Sequence, residues 1–270
     1  MPQPVPTPYP KTVFVPAGTF LMGSNFGPEK EKPVHPVLLD AFWMDERPVT
    51  NIQFKAFLKA CPQWQKTPVI KTWLNIYYLY LWRQEIIFPQ GKRNHPVVYV
   101  NWFSAAAYCN WRSREEGLTP YYDEARDFAC DYTASGYRLP TEAEYEYAAR
   151  GGLEQALYPW GNEIDKSRGN YDNLIGDTTE VGAYQPNGFG LFDMTANIGH
   201  WCQDWFGESS YPQELVHNPR GPDTGTLKSY RGGAWGTPAD MQRCACRFWL
   251  LPMLFNPDFG FRCVRGVLSP

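Results

Sequence analysis

Short apolar runs with alternating polar positions, separated by turn residues, predict β-strands near both ends of the chain. After Gly152 the pattern consists almost entirely of turns and short strands. The predicted strands cover residues 12–16, 20–23, 37–45, 201–205, 230–235, 243–249 and 260–264.

Helical spacing follows two capping boxes, in which a Thr and a Gln or Glu three residues later satisfy each other's backbone N–H groups. The boxes pair Thr50 with Gln53 and Thr141 with Glu144. A third helix is predicted over residues 104–116. Helices packed on short strands, amid long irregular loops, indicate an α+β fold.

The segment 69–88 is apolar but interrupted by charged residues, so it does not predict a membrane span. Trp73, Ile76, Tyr77, Tyr80 and Leu81 follow the i, i+3, i+4, i+7, i+8 spacing of one helix face. A short amphipathic helix packed on the core is the first interpretation, and a partner-binding patch is the alternative.

Charge and composition exclude several kinds of partner. The formal net charge is −3, with Lys and Arg scattered along the chain, so neither nucleic acid nor an anionic membrane surface is an expected partner. Aromatic residues make up 16% of the chain, which also contains 23 Gly and 25 Pro. This composition describes a loop-rich domain held together by large side chains.

No abrupt change in composition marks a linker, so residues 12–270 are predicted to form one domain after a Pro-rich lead-in over residues 1–11. The first residues lack a basic stretch followed by an apolar run, and they contain no lipid-attachment cysteine. No export signal is therefore predicted, and the protein is expected in the cytoplasm by default.

The seven cysteines contain no Cys-x-x-Cys pair, which argues against a zinc ribbon. Cys244 and Cys246 are two residues apart and would lie on the same face of a strand. Two thiolates placed in this way suit a soft metal such as Cu(I). Buried thiols, or a disulfide from one of them, are the commoner alternatives.

A series of motifs then appears in a fixed order along the chain. They read "VFVPAGTFLMGS", "NWFSAAAYCNW", "GYRLPTEAEYEYAARGG", "YPWGN", "PNGFGLFDMTANIGHWCQDW", "YRGGAW" and "FGFRCVR". Together they resemble the formylglycine-generating enzyme and sulfatase-modifying factor family over about residues 12–265. The resemblance implies a single domain with a C-type-lectin-like topology, and only residues 61–94 have no counterpart in it.

The resemblance also implies where catalysis would occur. Enzymes of the family hold Cu(I) with two cysteines five residues apart, which follow the Gly-Gly-Ser turn and activate oxygen to convert a substrate cysteine to formylglycine. Those positions are Thr237 and Gln242 here, and Ala234 replaces the serine. Because Cu(I) prefers sulfur ligands, no copper is expected. Cys109 and Cys263 match a disulfide pair of the family, although adjacent free thiols are expected in a reducing compartment.

Calcium is a second cofactor that the resemblance implies. The family binds calcium with oxygen ligands in its loops, as this hard cation requires. Asn170, the Tyr171 carbonyl and Asp177 match one such site. A solvated loop without calcium is the alternative interpretation.

The segment near the C-terminus combines regularly spaced arginines with many large apolar residues. Its frame resembles the variable proteins of diversity-generating retroelements, which display a changeable binding surface on this fold. By that resemblance Arg231, Arg243, Arg247 and Arg262 are scaffold. The candidate ligand-binding residues are Thr237, Ala239, Met241, Phe248, Trp249, Leu250, Leu251, Met253, Leu254 and Phe255. A protein or a small molecule is the expected ligand, and a buried lid or an oligomer contact is the alternative.

Three functions remain open from the sequence. The first is a non-catalytic ligand-binding protein, of which a retroelement-diversified display protein is one form. The second is an enzyme of the family that oxidises protein cysteine through an altered site. The third is a structural or accessory subunit. Whether the protein is an enzyme is left undecided, although the loss of both copper-binding cysteines argues against it.

Overall fold

The computed structural model describes residues 9–66, 77–83, 86–208 and 212–267. Within these ranges the architecture is α+β, as predicted, with three α-helices and a set of short strands. The helices are α1 (Asn51–Ala60), α2 (Trp102–Glu115) and α3 (Glu142–Arg150). The strands are β1 (Thr12–Val15), β2 (Gly18–Met22), β3 (His35–Leu39), β4 (Phe42–Asp45), β5 (Tyr122–Asp123), β6 (Ala129–Cys130), β7 (Gly199–Trp205), β8 (Val216–His217), β9 (Lys228–Arg231), β10 (Phe248–Leu250), β11 (Phe259–Gly260) and β12 (Val264–Gly266).

The sheets bring the two ends of the described chain together. β4 lies between β1 and β12, and Val264 is paired with Met44 in the antiparallel register. A second sheet has the order β2-β3-β8, and the four-stranded sheet has the order β10-β9-β7-β11. β10 is therefore an edge strand, paired only with β9 through partners such as Phe248 and Tyr230.

Both predicted capping boxes are confirmed. The backbone N–H of Thr50 donates to Gln53 Oε1 over 2.8 Å. The backbone N–H of Thr141 donates to Glu144 Oε2 over 2.8 Å, while the Glu144 N–H donates to Thr141 Oγ1 over 3.1 Å. Each box satisfies donors at a helix start that the helix itself leaves without a partner.

Two buried apolar clusters hold the elements together. The larger one joins α1 and α2 to the four-stranded sheet and is dominated by aromatic rings, including Trp102, Tyr108 and Trp201. The smaller one joins α3 to the N-terminal strands through residues such as Tyr145 and Met44. The aromatic composition of the sequence is therefore used mainly for core packing.

Several predicted strand boundaries were wrong. Residues 243–247 form turns instead of a strand, because the arginines at both ends reach into the interior and the backbone bends between them. β9 ends at Arg231 because Gly232 and Gly233 have φ values of 99° and 63°, which lie outside strand geometry. Predicted strand 37–45 is two strands, and predicted strand 260–264 covers parts of β11 and β12.

The helix predicted from segment 69–88 lies partly outside the described residues, which exclude Trp73 and Ile76. Residues 77–81 form turns, and the predicted inward face is reversed there. Tyr77, Tyr80 and Leu81 are exposed, whereas neighbouring residues such as Tyr78 are buried. The helical interpretation of these described residues was wrong because local packing, not the 3.6-residue period, decides which side chains turn inward.

Within the described ranges, no helix combines the length and apolarity needed to cross a membrane.

Candidate ligand-binding surface

A layer of paired charges lies beneath the C-terminal segment. We call Glu142, Glu146, Arg150, Arg231 and Arg247 the buried charged layer, since each is almost fully excluded from solvent. Arg247 Nε lies 2.7 Å from Glu142 Oε2, and Arg231 Nη2 lies 3.0 Å from Glu146 Oε2. Arg150 Nη2 lies 2.6 Å from Glu146 Oε1. Helix α3 therefore presents its carboxylates to arginines from the C-terminal part of the chain.

The ionisation of Glu142 follows from this arrangement. Burial alone raises the pKa of a carboxyl, but the charges of Arg247 and Arg231 more than offset that effect and lower the pKa of Glu142 to about 2. Among the glutamates of this helix, the sequence predicted a capping role for Glu144. Only Glu144 caps the helix, and Glu142 and Glu146 instead anchor the C-terminal segment.

The other two scaffold arginines are also engaged. Arg262 is fully buried and donates to the backbone carbonyls of Phe192 over 2.6 Å and Asp45 over 3.0 Å. Arg243 pairs with Glu31 through its Nη1, over 2.6 Å. These contacts show how the arginines tie the segment to loops and strands from earlier parts of the chain.

Thr237 and Gln242, at the positions that match the copper ligands of the formylglycine-generating enzymes, are hydrogen-bonded to each other. Gln242 Nε2 donates to Thr237 Oγ1 over 2.5 Å, and Thr237 Oγ1 donates to the Ala234 carbonyl over 2.9 Å. The Gln242 side chain is fully buried. An amide and a hydroxyl joined by a hydrogen bond offer no thiolate to a soft metal.

Four of the seven cysteines lie in two pairs. Cys244 and Cys246 are buried in the turn region, and burial raises the pKa of each thiol to about 12. Without a metal ion, thiols with such a pKa are protonated at neutral pH. Cys109 Sγ lies 3.5 Å from Cys263 Sγ, and both cysteines are free thiols, so the two are neighbours as expected.

Large apolar side chains lie exposed just beyond the buried charged layer. We call Trp249, Leu251, Met253 and Leu254 the C-terminal apolar surface, because their exposed fractions are 38%, 41%, 45% and 38%. Met241, nearby in sequence, is 41% exposed. Side chains of this size are rarely left in water together unless something covers them.

The other candidate residues are less exposed than expected. Phe248, Leu250 and Phe255 are half-buried. Phe248 stacks on Tyr230 at a ring distance of 5.1 Å, and Phe255 packs on Tyr78 at 5.7 Å. Thr237 and Ala239 are half-buried as well. The structure therefore brings part of the predicted set to the surface and turns the rest inward.

Contacts with an aromatic ring and a lysine hold the side chain of Trp249 in place. Its ring stacks on Phe206 at 4.3 Å, and Lys30 Nζ lies 4.3 Å from the ring centroid. Phe206 in turn lies 4.8 Å from the guanidinium carbon of Arg247. The stack connects the C-terminal apolar surface to the buried charged layer and holds Trp249 in place.

Tyr80, from the segment without a family counterpart, lies beside Tyr99, which contacts the C-terminal segment. The sequence did not reveal this contact. The backbone N–H of Tyr99 donates to the Asn256 carbonyl over 3.0 Å. The ring of Tyr99 lies 5.6 Å from that of Tyr80, which is exposed. The run of aromatic residues at 77–82 was the available signal, but its position beside residue 256 depends on tertiary contacts.

The predicted calcium ligands are close together but mostly engaged. Asn170 Nδ2 donates to the Asp177 carbonyl over 2.8 Å, and the Tyr171 carbonyl accepts from the Leu174 N–H over 3.1 Å. Asp177 Oδ2 lies 2.9 Å from Lys92 Nζ. Among these predicted ligands, Asn170 Oδ1 is buried with no hydrogen-bond partner in the described part of the chain. These contacts leave few free oxygens for the shell that calcium needs, so the predicted site would have to rearrange to hold the ion.

No group of three or more His, Cys, Asp or Glu side chains in the described part of the chain is arranged to hold a metal ion.

Comparison with known proteins places this chain among sequence relatives of two kinds. The profile of the sulfatase-modifying factor enzyme 1-like domain matches residues 1–267. The formylglycine-generating enzyme of Streptomyces coelicolor is 32% identical over 305 residues, which cover 94% of this chain and 88% of the enzyme. The serine/threonine-protein kinase pkn1 of Chlamydia caviae is 37% identical over 270 residues, which cover 98% of this chain but 39% of the kinase. The chain thus spans about two fifths of the length of that relative.

Among solved structures, Treponema denticola variable protein 1 has the same fold, with a TM-score of 0.78 and 26% identity over 95% of each chain.

Proposed function

Since the chain belongs to the family of sulfatase-modifying factor enzyme 1-like domains and carries Thr237 and Gln242 at the copper positions, we propose that it is a non-catalytic ligand-binding protein. Its ligand, a protein or a small molecule, binds at the C-terminal apolar surface. The hydrogen-bonded pair of Thr237 and Gln242 supports the loss of oxidase chemistry, because it leaves no sulfur ligand for copper at either position.

One observation supports the binding role above all: the C-terminal segment buries its arginines and exposes large apolar side chains. The arginines point inward to fixed partners, whereas Trp249, Leu251, Met253 and Leu254 are exposed. Large apolar anchors provide most of the affinity at binding surfaces, so their exposure on a fixed frame favours recognition. A rigid frame also reduces the ordering cost of binding.

Catalysis is tested by incubating the protein with Cu(I), oxygen and a Cys-x-Pro-x-Arg peptide. We expect no conversion of the peptide cysteine to the aldehyde by mass spectrometry. The formylglycine-generating enzyme of Streptomyces coelicolor serves as the positive control. Copper-dependent conversion by the unaltered protein would refute the non-catalytic role.

The finer form of the proposal is that the chain is a variable protein of a diversity-generating retroelement. The shared fold with Treponema denticola variable protein 1 supports this form. The test is the surrounding genome sequence, which should contain a reverse transcriptase gene and a template repeat of the segment encoding residues 231–262. A complete neighbourhood without both would contradict it while leaving the binding role intact.

A second candidate role is suggested by the kinase relatives. The similarity to pkn1 covers nearly all of this chain but only 39% of the kinase, which favours a binding or accessory module within a longer signalling protein. The test is the reading frame on both sides of this sequence. An in-frame kinase-encoding segment is the expected result, and stop codons that bound this chain alone would reject the role.

A further inference from the structure

A notch lies at Gly236, in the loop that follows β9. A Cβ atom built at Gly236 would lie 3.8 Å from Asp258 Oδ2 and 3.9 Å from Asn173 Oδ1. These distances are ordinary van der Waals contacts, so a methyl group would fit there without displacing either oxygen. Two hydrogen-bond acceptors therefore face a position that has no side chain.

Backbone hydrogen bonds hold the walls of the notch in place. The Asn173 N–H donates to the Trp235 carbonyl over 2.9 Å, and the neighbouring Asp172 N–H donates to the Thr237 carbonyl over 2.9 Å. On the other side, the Asp258 carbonyl accepts from the Gly199 N–H over 2.8 Å. The positions of the two acceptors are thus set before any ligand arrives.

Asp258 differs from the carboxylates of the buried charged layer. Its Oδ1 is buried without a hydrogen-bond partner, and no Lys, Arg or His nitrogen of the described ranges pairs with it within 4.0 Å. Burial raises the pKa of Asp258 to about 6. Trp235 Nε1, beside the notch, is also buried without a partner. Buried polar groups of this kind are usually satisfied by a water molecule, an ion or a ligand, so a donor from a ligand would be accommodated here.

Aromatic side chains of the C-terminal segment and its neighbours lie near Asp258. Its charge acts on the hydroxyls of both Tyr230 and Tyr99, so both lie within electrostatic reach. The ring of Tyr230 lies 4.1 Å from that of Phe259 and 5.1 Å from that of Phe248. Aromatic faces and a carboxylate together stabilise a cation better than either does alone.

Resting on the proposed function, we propose that the ligand is a polypeptide that presents an arginine or lysine side chain to Asp258 and Asn173 in the notch at Gly236. Its apolar residues cover the C-terminal apolar surface at the same time. An acidic or purely apolar ligand would leave the Asp258 carboxylate desolvated and unpaired, which opposes binding. The notch therefore favours ligands with a positive charge, whereas the C-terminal apolar surface favours any ligand with enough apolar area.

The experiment uses a phage-displayed random peptide library selected on the unaltered protein. We expect binding peptides to be enriched in Arg or Lys next to apolar residues. Their affinity should fall at least tenfold for Asp258→Asn and for Gly236→Ala, which fills the notch without backbone strain. Replacing the basic residue of the peptide by Gln should cause a similar loss. Asp240→Asn, at an exposed carboxylate, is the matched control and should bind unchanged.

The outcomes separate this inference from the proposed function. Peptides that need Leu251 and Met253 but show no enrichment in basic residues would overturn the inference and keep the binding role. Selected peptides that tolerate Leu251→Asp and Met253→Asp would overturn both. Thermal melts confirm that each variant is folded, and Asp258→Asn should melt no lower than the unaltered protein because it removes a desolvated charge.

Discussion

The buried charged layer and the C-terminal apolar surface meet in sequence at Arg247 and Trp249, and together they reverse the usual placement of side chains. Arg247 is buried against Glu142, whereas Trp249, two residues later, has more than a third of its surface in water. Buried charged groups need compensating partners, and every member of this layer has an ionic partner. The stability of the segment therefore depends on inward ion pairs, which leaves the outer apolar positions available for recognition.

The largest effect is expected from a substitution in the buried charged layer. Arg231→Met should cost about 3–5 kcal/mol of unfolding free energy, since it leaves buried carboxylates without part of their compensation. Chemical denaturation measures the loss. Arg126→Met, at a side chain that is 78% exposed, is the control and should change stability by about 0.5 kcal/mol or less. Equal effects in the two variants would mean that the buried charged layer does not support the fold.

The pH dependence of stability also reports on the carboxylates in and next to the buried charged layer. Asp204 Oδ2 accepts from the Glu142 N–H over 3.0 Å, and burial together with the charge of Glu142 raises the pKa of Asp204 to about 7. Between about pH 4 and 7 the folded protein then binds more protons at Asp204 than the unfolded chain, so stability falls as the pH rises. Below that window Glu142, with its lowered pKa, has the opposite effect.

Burial lowers the pKa of His35, His95 and His200, so the contribution of these groups to stability rises with pH. Against it we expect Asp204 to make the protein more stable at pH 5 than at pH 7.5 by on the order of 1–3 kcal/mol. Asp204→Asn should remove much of that difference in denaturant melts at the two pH values. A difference that persists in this variant would assign the pH dependence to other groups.

The exposure of the C-terminal apolar surface is tested by comparing three apolar side chains of the same loop. Phe255→Ser should cost about 2 kcal/mol, because Phe255 is half-buried against Tyr78 and the larger apolar cluster. Leu251→Ser and Met253→Ser should each change stability by about 0.5 kcal/mol or less, as at most surface positions. Denaturant melts of the three variants distinguish buried from exposed positions. A loss of unfolding free energy at Met253 as large as that at Phe255 would place Met253 in the core.

The smallest expected effect concerns calcium. Because Lys92 already pairs with Asp177, we expect the melting temperature in millimolar calcium to match that in chelator. Lys92→Ala frees the carboxylate and is the comparison variant. A calcium-dependent rise in the melting temperature of the unaltered protein would show that the loop rearranges to hold the ion.

Local signals in the sequence predicted much of the fold. The capping boxes at Thr50 and Thr141 set two helix starts, since they require only residues three positions apart. β7 also appeared where a short apolar run predicted it, within Gly199–Trp205. The predictions for residues 243–247 and 77–81 were wrong, because distant partners such as Glu31, Glu142 and Tyr99 decide the path of the backbone there.

The candidate site divides in the same way. The loss of both copper-binding cysteines is a property of two residue identities, and the sequence alone determined it at Thr237 and Gln242. The sequence also determined which residues are apolar, but only the tertiary structure decided that Trp249 and Leu251 are exposed while Phe255 turns inward. The notch at Gly236 likewise exists only because the fold brings Asn173 and Asp258 together from positions far apart in the chain. Exposure and convergence depend on contacts between remote segments, and no local pattern of residue types encodes those contacts.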